Sequence, residues 1–250
     1  MSDSEQPTPR QSHACIDRSS RTLKARKIVA IIGHDRFLQC QRVLEIGCGS
    51  GVIAHTLFEL GGKQQAINAV DVVDSRIEFE GYRFNLVEGT RLPFDDQTFD
   101  LVITNHVIEH VGDEAAQIDH LREIKRVMRS RGTVYFAAPN KWRLIEPHFS
   151  LPLLSWLPQR ASDLYVRAVR RGTRYDCFPR GLRDLKRLFG IAGFDFQNRT
   201  VQAIYATIAI EHPNHFLRRI MSPAWLGRIL SLAMPMMPTY IFRLTPESGQ

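Results

Sequence analysis

The four cysteines of this 250-residue chain, Cys15, Cys40, Cys48 and Cys177, are scattered, with no Cys-x-x-Cys pair and no zinc-ligand spacing among them. That excludes a disulfide scaffold and reads as free thiols in a reducing, cytoplasmic compartment. No run of about 18 apolar residues appears, so no membrane span is expected. Met1 to Arg10 is polar and lacks an apolar segment, so a secretory signal peptide is not expected either. No internal repeat of 20 to 50 residues is present, which excludes solenoids and propellers. Apolar residues are not in short supply. At 44% of the chain they suffice for one sizeable domain with additions. The formal net charge of +7 reads either as a solvated basic surface or as attraction to an acidic partner.

The chain is organised around Val43-Leu44-Glu45-Ile46-Gly47-Cys48-Gly49-Ser50-Gly51. A short apolar run ends there, three glycines alternate, and Val52 to Leu60 has the pattern of a helix. A strand turning into a helix across such glycines brings bare backbone against a ligand. Before it, 1–20 reads as a disordered tail and Arg21 to Cys40 as one or two amphipathic helices. After it, strands are expected at Ala66–Val73, Arg83–Val87, Phe99–Thr104 and Thr133–Ala138. A helix or long turn is expected at Ser75–Phe84, and an amphipathic helix at Glu114–Arg129, broken by Arg131-Gly132. Strands alternating with helices imply a doubly wound, mostly parallel α/β sheet with its ligand at the carboxyl ends of the strands. Beyond Asn140, helices are expected at Ser162–Arg171 and Pro179–Phe189, a sixth strand at Phe194–Ala206, and a closing strand at Thr239–Leu244. The divisions are then a core over 21–140, a helical substrate or lid segment over 141–190, and closing strands over 191–250.

Two ligands compete for the glycine loop, a nicotinamide dinucleotide and S-adenosylmethionine. The dinucleotide pattern is Gly-x-Gly-x-x-Gly. Here the third glycine, Gly51, comes one residue too early, and Glu45 stands two positions before the first, where it suits an ammonium group. A phosphate-binding Walker loop is excluded, because no Gly-Lys-Ser/Thr follows. Asp71 ends the second strand, 20 residues past Gly51, where a carboxylate accepts ribose hydroxyls of either ligand.

These blocks, with Leu92-Pro93-Phe94-Asp95-Asp96-Gln97-Thr98-Phe99-Asp100-Leu101-Val102, the cluster Asn105–Val111 and the unit Leu121–Asn140, resemble class I S-adenosylmethionine-dependent methyltransferases, in the subgroup called methyltransferase type 11. The resemblance spans about Arg42 to Asn140. It implies a Rossmann-like sheet of seven strands with the last antiparallel and S-adenosyl-L-methionine as cofactor, while the residue pattern itself adds helical insertions after strand 5 and, over Glu211–Met237, between strands 6 and 7. By position, Glu45, Gly47, Cys48, Gly49 and Gly51 line the methionine end. Asp71 holds the ribose, Val72 lies beside the adenine, Glu88 meets the adenine amine, and Asn105 and His106 lie beside the transferred methyl. Cys48 on its own residue type reads as a space-filler. A related pattern, Glu-x-x-Glu-His, binds a divalent metal in ubiquinone-pathway O-methyltransferases and small-RNA 2′-O-methyltransferases. Here His106 replaces its first acid, leaving His106, Glu109 and His110 as the residues that offer ligands, and no metal is expected.

Transfer of a methyl group to a hydroxyl needs alignment and a proton acceptor. The candidates are His148, in Glu146-Pro147-His148, then His110 and His106; Glu109 and His110 also read as groups that bond the loop and cap the next helix. Trp142–Pro158 and His215–Met237 combine apolar and basic residues, which reads either as a lid or as a peripheral contact with the inner face of a membrane. The expected acceptor is a small molecule or a lipid- or saccharide-linked one, methylated at oxygen. Nucleic acid is not expected, because aromatic and basic residues do not interleave as a stacking platform. The other function classes are a non-catalytic cofactor-binding module and an NAD-dependent oxidoreductase.

Overall fold

The structure, a computed structural model, describes residues 17–212 and 230–247. Helix α1 (Arg18–Ile32) starts where the Asp17 carboxylate accepts the Ser19 and Ser20 N–H groups, and the short α2 (His34–Gln39) follows directly. Both match the expected amphipathic segment. Strand β1 (Arg42–Ile46) then passes through the glycine loop into α3 (Val52–Leu60). Next come β2 (Ala66–Asp71), β3 (Arg83–Leu86), β4 (Phe99–Asn105), the single turn α4 (Ile108–Val111), α5 (Glu114–Val127) and β5 (Met128–Pro139). A small hairpin of β6 (Ile145–Glu146) and β7 (Leu151–Pro152) precedes α6 (Gln159–Ala168), α7 (Leu182–Ile191), β8 (Phe194–Asn198), α8 (Thr200–Glu211) and β9 (Thr239–Pro246).

Seven strands form one sheet in the order β3-β2-β1-β4-β5-β9-β8. The first five are mutually parallel, and β9 runs antiparallel to both β5 and β8. Alternation along the strands sorts the core into two layers. Leu44, Val102, Val134 and Phe136 face α5 and α7 on one side. Val43, Leu101, Ile103 and Tyr135 face α1, α2 and α3 on the other. The order in which strands are added reverses between β1 and β4, so the crevice at the sheet's switch point opens at the carboxyl ends of those two parallel strands. A third, smaller core of Phe149, Leu151, Leu154, Val166, Tyr175 and Cys177 holds the segment after β5 together as a unit of its own.

Three sequence expectations are corrected. The sixth strand stops at Asn198, whose Oδ1 accepts the Thr200 N–H and opens α8. The run Val201–Ile210 has strand-like composition, but its packing on α1, fixed by the Lys27–Glu211 ion pair at 2.6 Å, makes it a helix. The helix expected to reach Arg129 ends at Val127, and β5 begins at once with Met128 opposite Phe99, across a register shift before Leu101. Arg131-Gly132 therefore lies inside a strand rather than breaking a helix. Of the two forms expected for Ser75–Phe84, the long turn is found. It is pinned where the Ile77 and Glu78 N–H groups both donate to the Ser50 carbonyl. Most of the apolar-basic stretch expected at His215–Met237 lies outside the described residues.

Candidate active site

The loop after β1 folds back over the end of β2. The Gly47 and Cys48 N–H groups donate to the Val70 carbonyl at 2.8 and 3.2 Å, and the Gly49 N–H donates to Asp71 Oδ2 at 2.8 Å. The other oxygen of Asp71 accepts the Val72 N–H at 2.7 Å. Asp71 thus sets the shape of the glycine loop as well as facing the ligand space. Gly47 is required twice over: its φ is +72°, and a Cβ there would stand 2.5 Å from Val107 Cγ2. Gly51, at φ +76°, leaves room for the Tyr82 hydroxyl and the Glu78 carbonyl and is not on the cavity wall.

A cavity of about 370 Å³ lies over these strand ends. One side carries Glu45, Cys48, Asp71 and Val72. Glu45 is buried, with 1% exposure, and its Oε2 has no hydrogen-bond partner. Burial pushes its carboxyl up to about 8, although Arg21, also on the cavity wall, and the Ala54 N–H pull it down. A buried acid beside a ligand space with one oxygen left without a hydrogen bond is suited to a cationic ligand group. Burial likewise pushes the Cys48 thiol up, so it remains an uncharged filler.

The same cavity is also lined by His106, His110 and His148. His106 follows β4 with φ +60°, a strained conformation for a residue with a side chain, and its N–H donates to the Ala137 carbonyl. Its Nδ1 lies 3.4 Å from Glu109 Oε1. Glu109 is wholly buried. Burial raises its pKa, but the contacts with His106 and His110 outweigh that and hold the carboxyl below its ordinary value. His148 Nδ1 lies 2.8 Å from Glu146 Oε1, while Glu146 Oε2 accepts the Phe149 N–H at 2.7 Å. Burial works against protonation of His148, yet Glu146 outweighs it and raises the imidazole above its ordinary value. A carboxylate bonded to one ring nitrogen fixes the orientation of the imidazole.

Gln117 joins the halves of this wall. Its buried amide donates to the carbonyls of Ile108, Gly112 and Phe178 and accepts from Arg180 Nε at 2.6 Å. That staple draws residues 176–180 against α4.

A family model described as Methyltransferase domain, of the type 11 subgroup, matches residues 44–136. Residues 44–136 thus carry a methyltransferase domain, the kind the sequence resemblance marks. The ubiquinone biosynthesis O-methyltransferase of Azorhizobium caulinodans is 28% identical over 179 residues, which is 67% of this chain and 66% of that protein. Its namesake in Parvibaculum lavamentivorans is 27% identical over 133 residues, 49% of this chain and 51% of that one. The chain thus spans between half and two thirds of the length of these curated relatives. The plantazolicin methyltransferase BpumL, solved with a monoazolic desmethyl analogue and SAH, superposes with a TM-score of 0.57 at 13% identity, over 92% of this chain and 85% of that one. At that identity the likeness is one of fold.

Among the residues expected at a methyltransferase site, Glu45, Gly47, Cys48, Gly49, Asp71, Val72, Asn105, His106, His110 and His148 all meet at this one cavity. Gly51 and Glu88 do not line it; Gly89 and Thr90 stand where Glu88 was expected. Four ionisable lining residues, Arg21, His120, Arg143 and Asp176, escaped sequence reasoning. Arg21 fell within the amphipathic segment expected before β1 and His120 within the helix expected at Glu114–Arg129, and neither was singled out. Arg143 and Asp176 had no motif. His120 is buried and its pKa falls to about 4 because burial disfavours the charged ring. The signal for it was available: a histidine on the apolar face of a helix, directly before Leu121.

Proposed function

We propose that this methyltransferase moves a methyl group from S-adenosylmethionine to a hydroxyl oxygen of an apolar small molecule, with His148 accepting the hydroxyl proton. The observation that carries this is the cavity in which the buried Glu45 carboxylate, its Oε2 without a hydrogen bond, faces ligand space shared with a carboxylate-held histidine. The residues present fit the cofactor. Glu45 would take the α-ammonium, Arg21 the carboxylate and Asp71 the ribose hydroxyls, with Val72 beside the adenine. When bound, S-adenosylmethionine supplies an electrophilic methyl on a sulfonium, whose departing thioether needs no acid.

The chain's own residues supply alignment and the base. The Glu146 carboxylate holds the Nδ1–H of His148, so Nε2 takes the proton of the acceptor hydroxyl. His110 packs edge-on against His148, ring centroids 4.7 Å apart, and limits its rotation. His106 and Asn105 line the space beside the methyl. Segment 141–190 serves as the substrate-side element, built on its own small core.

For the acceptor, the name of the curated relatives and an exposed apolar rim point the same way. Trp142, Leu144, Ile145, Trp156 and Leu157 are all exposed, and Leu144 is 69% so. They surround Arg143, which lines the cavity. A phenolic ring carrying an apolar tail, as in an isoprenoid quinone precursor, matches that rim, and the rim would rest on a membrane surface while the ring enters. Among the described residues no helix is long and apolar enough to cross a membrane. The test is a product screen with methyl-labelled cofactor against quinone-precursor, lipid and saccharide pools, with wild type and His148→Ala. Labelled methyl ether in wild type, lost in a variant that still binds cofactor, supports the reading. Full turnover in His148→Ala removes His148 from the role.

A further inference from the structure

His120 takes no part in the chemistry assigned to His148, yet the cavity reaches it. The residue is 3% exposed, and its Nε2 is buried without a hydrogen bond. A polar ring in that condition costs stability, and an apolar side chain would fill the place without the cost. The neighbouring Leu121 and Ile124 are such fillers. Residues three apart on a helix share a face, and the face of α5 that carries His120 is tied on both sides. One turn before it, Gln117 holds the Ile108 and Gly112 carbonyls at α4. One turn after it, Glu123 Oε1 accepts the Leu92 N–H at 2.8 Å, and Arg126 donates to the Leu92 and Phe94 carbonyls at 3.1 and 2.8 Å. His120 therefore stands at the floor of a cleft between α4 and the loop after β3.

That cleft is a lobe of the cofactor cavity. Val72, Val87, Leu92, Val107 and Val111 line the cavity together with His120, and Val87, Leu92 and Val107 pack in the core layer on the α5 side of the sheet. The Val87 N–H donates to the Asp71 carbonyl at 2.9 Å, which sets the lobe beside the residue that fits the ribose hydroxyls. Glu45 and Cys48, which fit the methionine end, belong to β1 and its loop. A base attached to the same ribose is thus led toward α5 and the loop after β3. Apolar walls with a few placed polar groups suit a flat heteroaromatic ring, whose faces meet valine and leucine and whose edge meets the imidazole. Glu88, the residue expected at the adenine amine, is exposed and off the cavity wall, so it does not supply that edge contact. Burial lowers the pKa of His120 to about 4, so at neutral pH the ring is uncharged, with one nitrogen a donor and the other an acceptor.

We propose that His120 hydrogen-bonds the edge of the adenine ring of S-adenosylmethionine and sets the protein's choice of purine in its cofactor. This role rests on the cofactor reading of the cavity and not on His148 being the base. Adenine offers both kinds of partner: ring nitrogens that accept and an exocyclic amine that donates. A hydrogen bond between uncharged groups carries little pH dependence, which separates it from the ammonium contact of Glu45. The ratio of affinities for two ligands that share one amino-acid end cancels the Glu45 contribution.

The test is calorimetric binding to the full chain of S-adenosylhomocysteine and a set of base-altered analogues. In S-inosylhomocysteine an oxo group replaces the amine, and in the 1-, 3- and 7-deaza compounds a CH replaces one ring nitrogen. Wild type should bind at least one analogue about 5- to 150-fold more weakly than S-adenosylhomocysteine, as expected where a buried polar group loses its partner. His120→Leu should bind S-adenosylhomocysteine about 2- to 12-fold more weakly than wild type does. For that same analogue the penalty should shrink to within about twofold in His120→Leu, the signature of a direct coupling between ring and base. A second measurement needs no variant. In wild type labelled with a nitrogen isotope for NMR, the ring nitrogens of the histidine that stays uncharged at pH 5 should shift when S-adenosylhomocysteine binds and shift less with the penalised analogue. Equal penalties in wild type and folded His120→Leu, or no penalty for any analogue in wild type, overturns the role. So does an NMR signal that ignores the base. A His120→Leu protein that binds every cofactor analogue as wild type does, and changes only KM for the acceptor, gives the ring to the acceptor instead and overturns it too. If no methyl transfer to a hydroxyl is found, the proposed activity fails while the binding ratios still decide His120.

Discussion

Replacing Glu45 with Gln removes the one buried carboxyl whose protonation the fold and the cofactor set against each other. Its pKa is pushed from an ordinary 4.5 to about 8 by burial, a gap that corresponds to about 5 kcal/mol. The sign follows from proton binding. Between those two pH values the folded protein holds a proton that the unfolded chain has released, so stability falls as pH rises from about 4.5 to about 8, and the loss is complete above that. Glu45→Gln abolishes this dependence, and the unliganded variant should therefore be the more stable protein at pH 8.5, by up to about 5 kcal/mol. A bound ammonium reverses the preference. Wild type should release close to one proton on binding S-adenosylhomocysteine at pH 7, and its affinity should rise by up to about tenfold per pH unit from pH 6 to 8 and then flatten. The variant should bind about 10- to 150-fold more weakly at pH 8, with little pH dependence, as expected for loss of a hydrogen bond to a charged group. Calorimetry in buffers of differing ionisation enthalpy reads the proton release, and denaturant unfolding across pH reads the stability. PH-independent affinity in wild type without proton release, together with superimposable unfolding profiles, would refute the reasoning.

The other predictions follow from single contacts. His120, buried and depressed to about 4, binds its proton in the unfolded chain first, so stability should drop by about 3 kcal/mol as pH falls from about 6.5 to 4. His120→Gln should flatten that limb in unfolding experiments. Glu146 raises His148 above its ordinary pKa, so turnover should fall on the acid side through that raised value. Glu146→Gln should shift the limb to lower pH and lower kcat more than it changes KM, read from a pH–rate profile. Gly47→Ala meets both a positive φ and the Val107 side chain, so cofactor affinity should fall by more than about tenfold with only a modest loss of thermal stability, measured by calorimetry and melting. Exchanging Trp142 and Leu144 for Ser should cut flotation with anionic vesicles and leave S-adenosylhomocysteine affinity unchanged.

The parallel half of the sheet was legible because local signals agree there. Arg42–Ile46 and Val52–Leu60 appear in the structure with the boundaries their residue pattern marks, and Glu45, the glycines and Asp71 converge on one cavity. The failures share a physical cause. Val201–Ile210 has no periodicity of its own and takes its form from α1, a neighbour far away in the chain. Arg131-Gly132 has the composition of a break, but Met128 is already paired with Phe99 before the chain reaches it. Arg21 and Asp176 carry no local motif. Their place at the site comes from helix packing in one case and from the Gln117 staple in the other, and neither leaves a spacing to be read.

The most direct test of the account is methyl transfer itself. Full-length protein is incubated with methyl-labelled S-adenosylmethionine and a phenol bearing an apolar tail, with His148→Ala in parallel. The account predicts a labelled methyl ether formed by wild type and at least about a hundredfold less by the variant at equal cofactor occupancy. No labelled product from any hydroxylated acceptor, or no binding of S-adenosylmethionine at millimolar concentration, would contradict it.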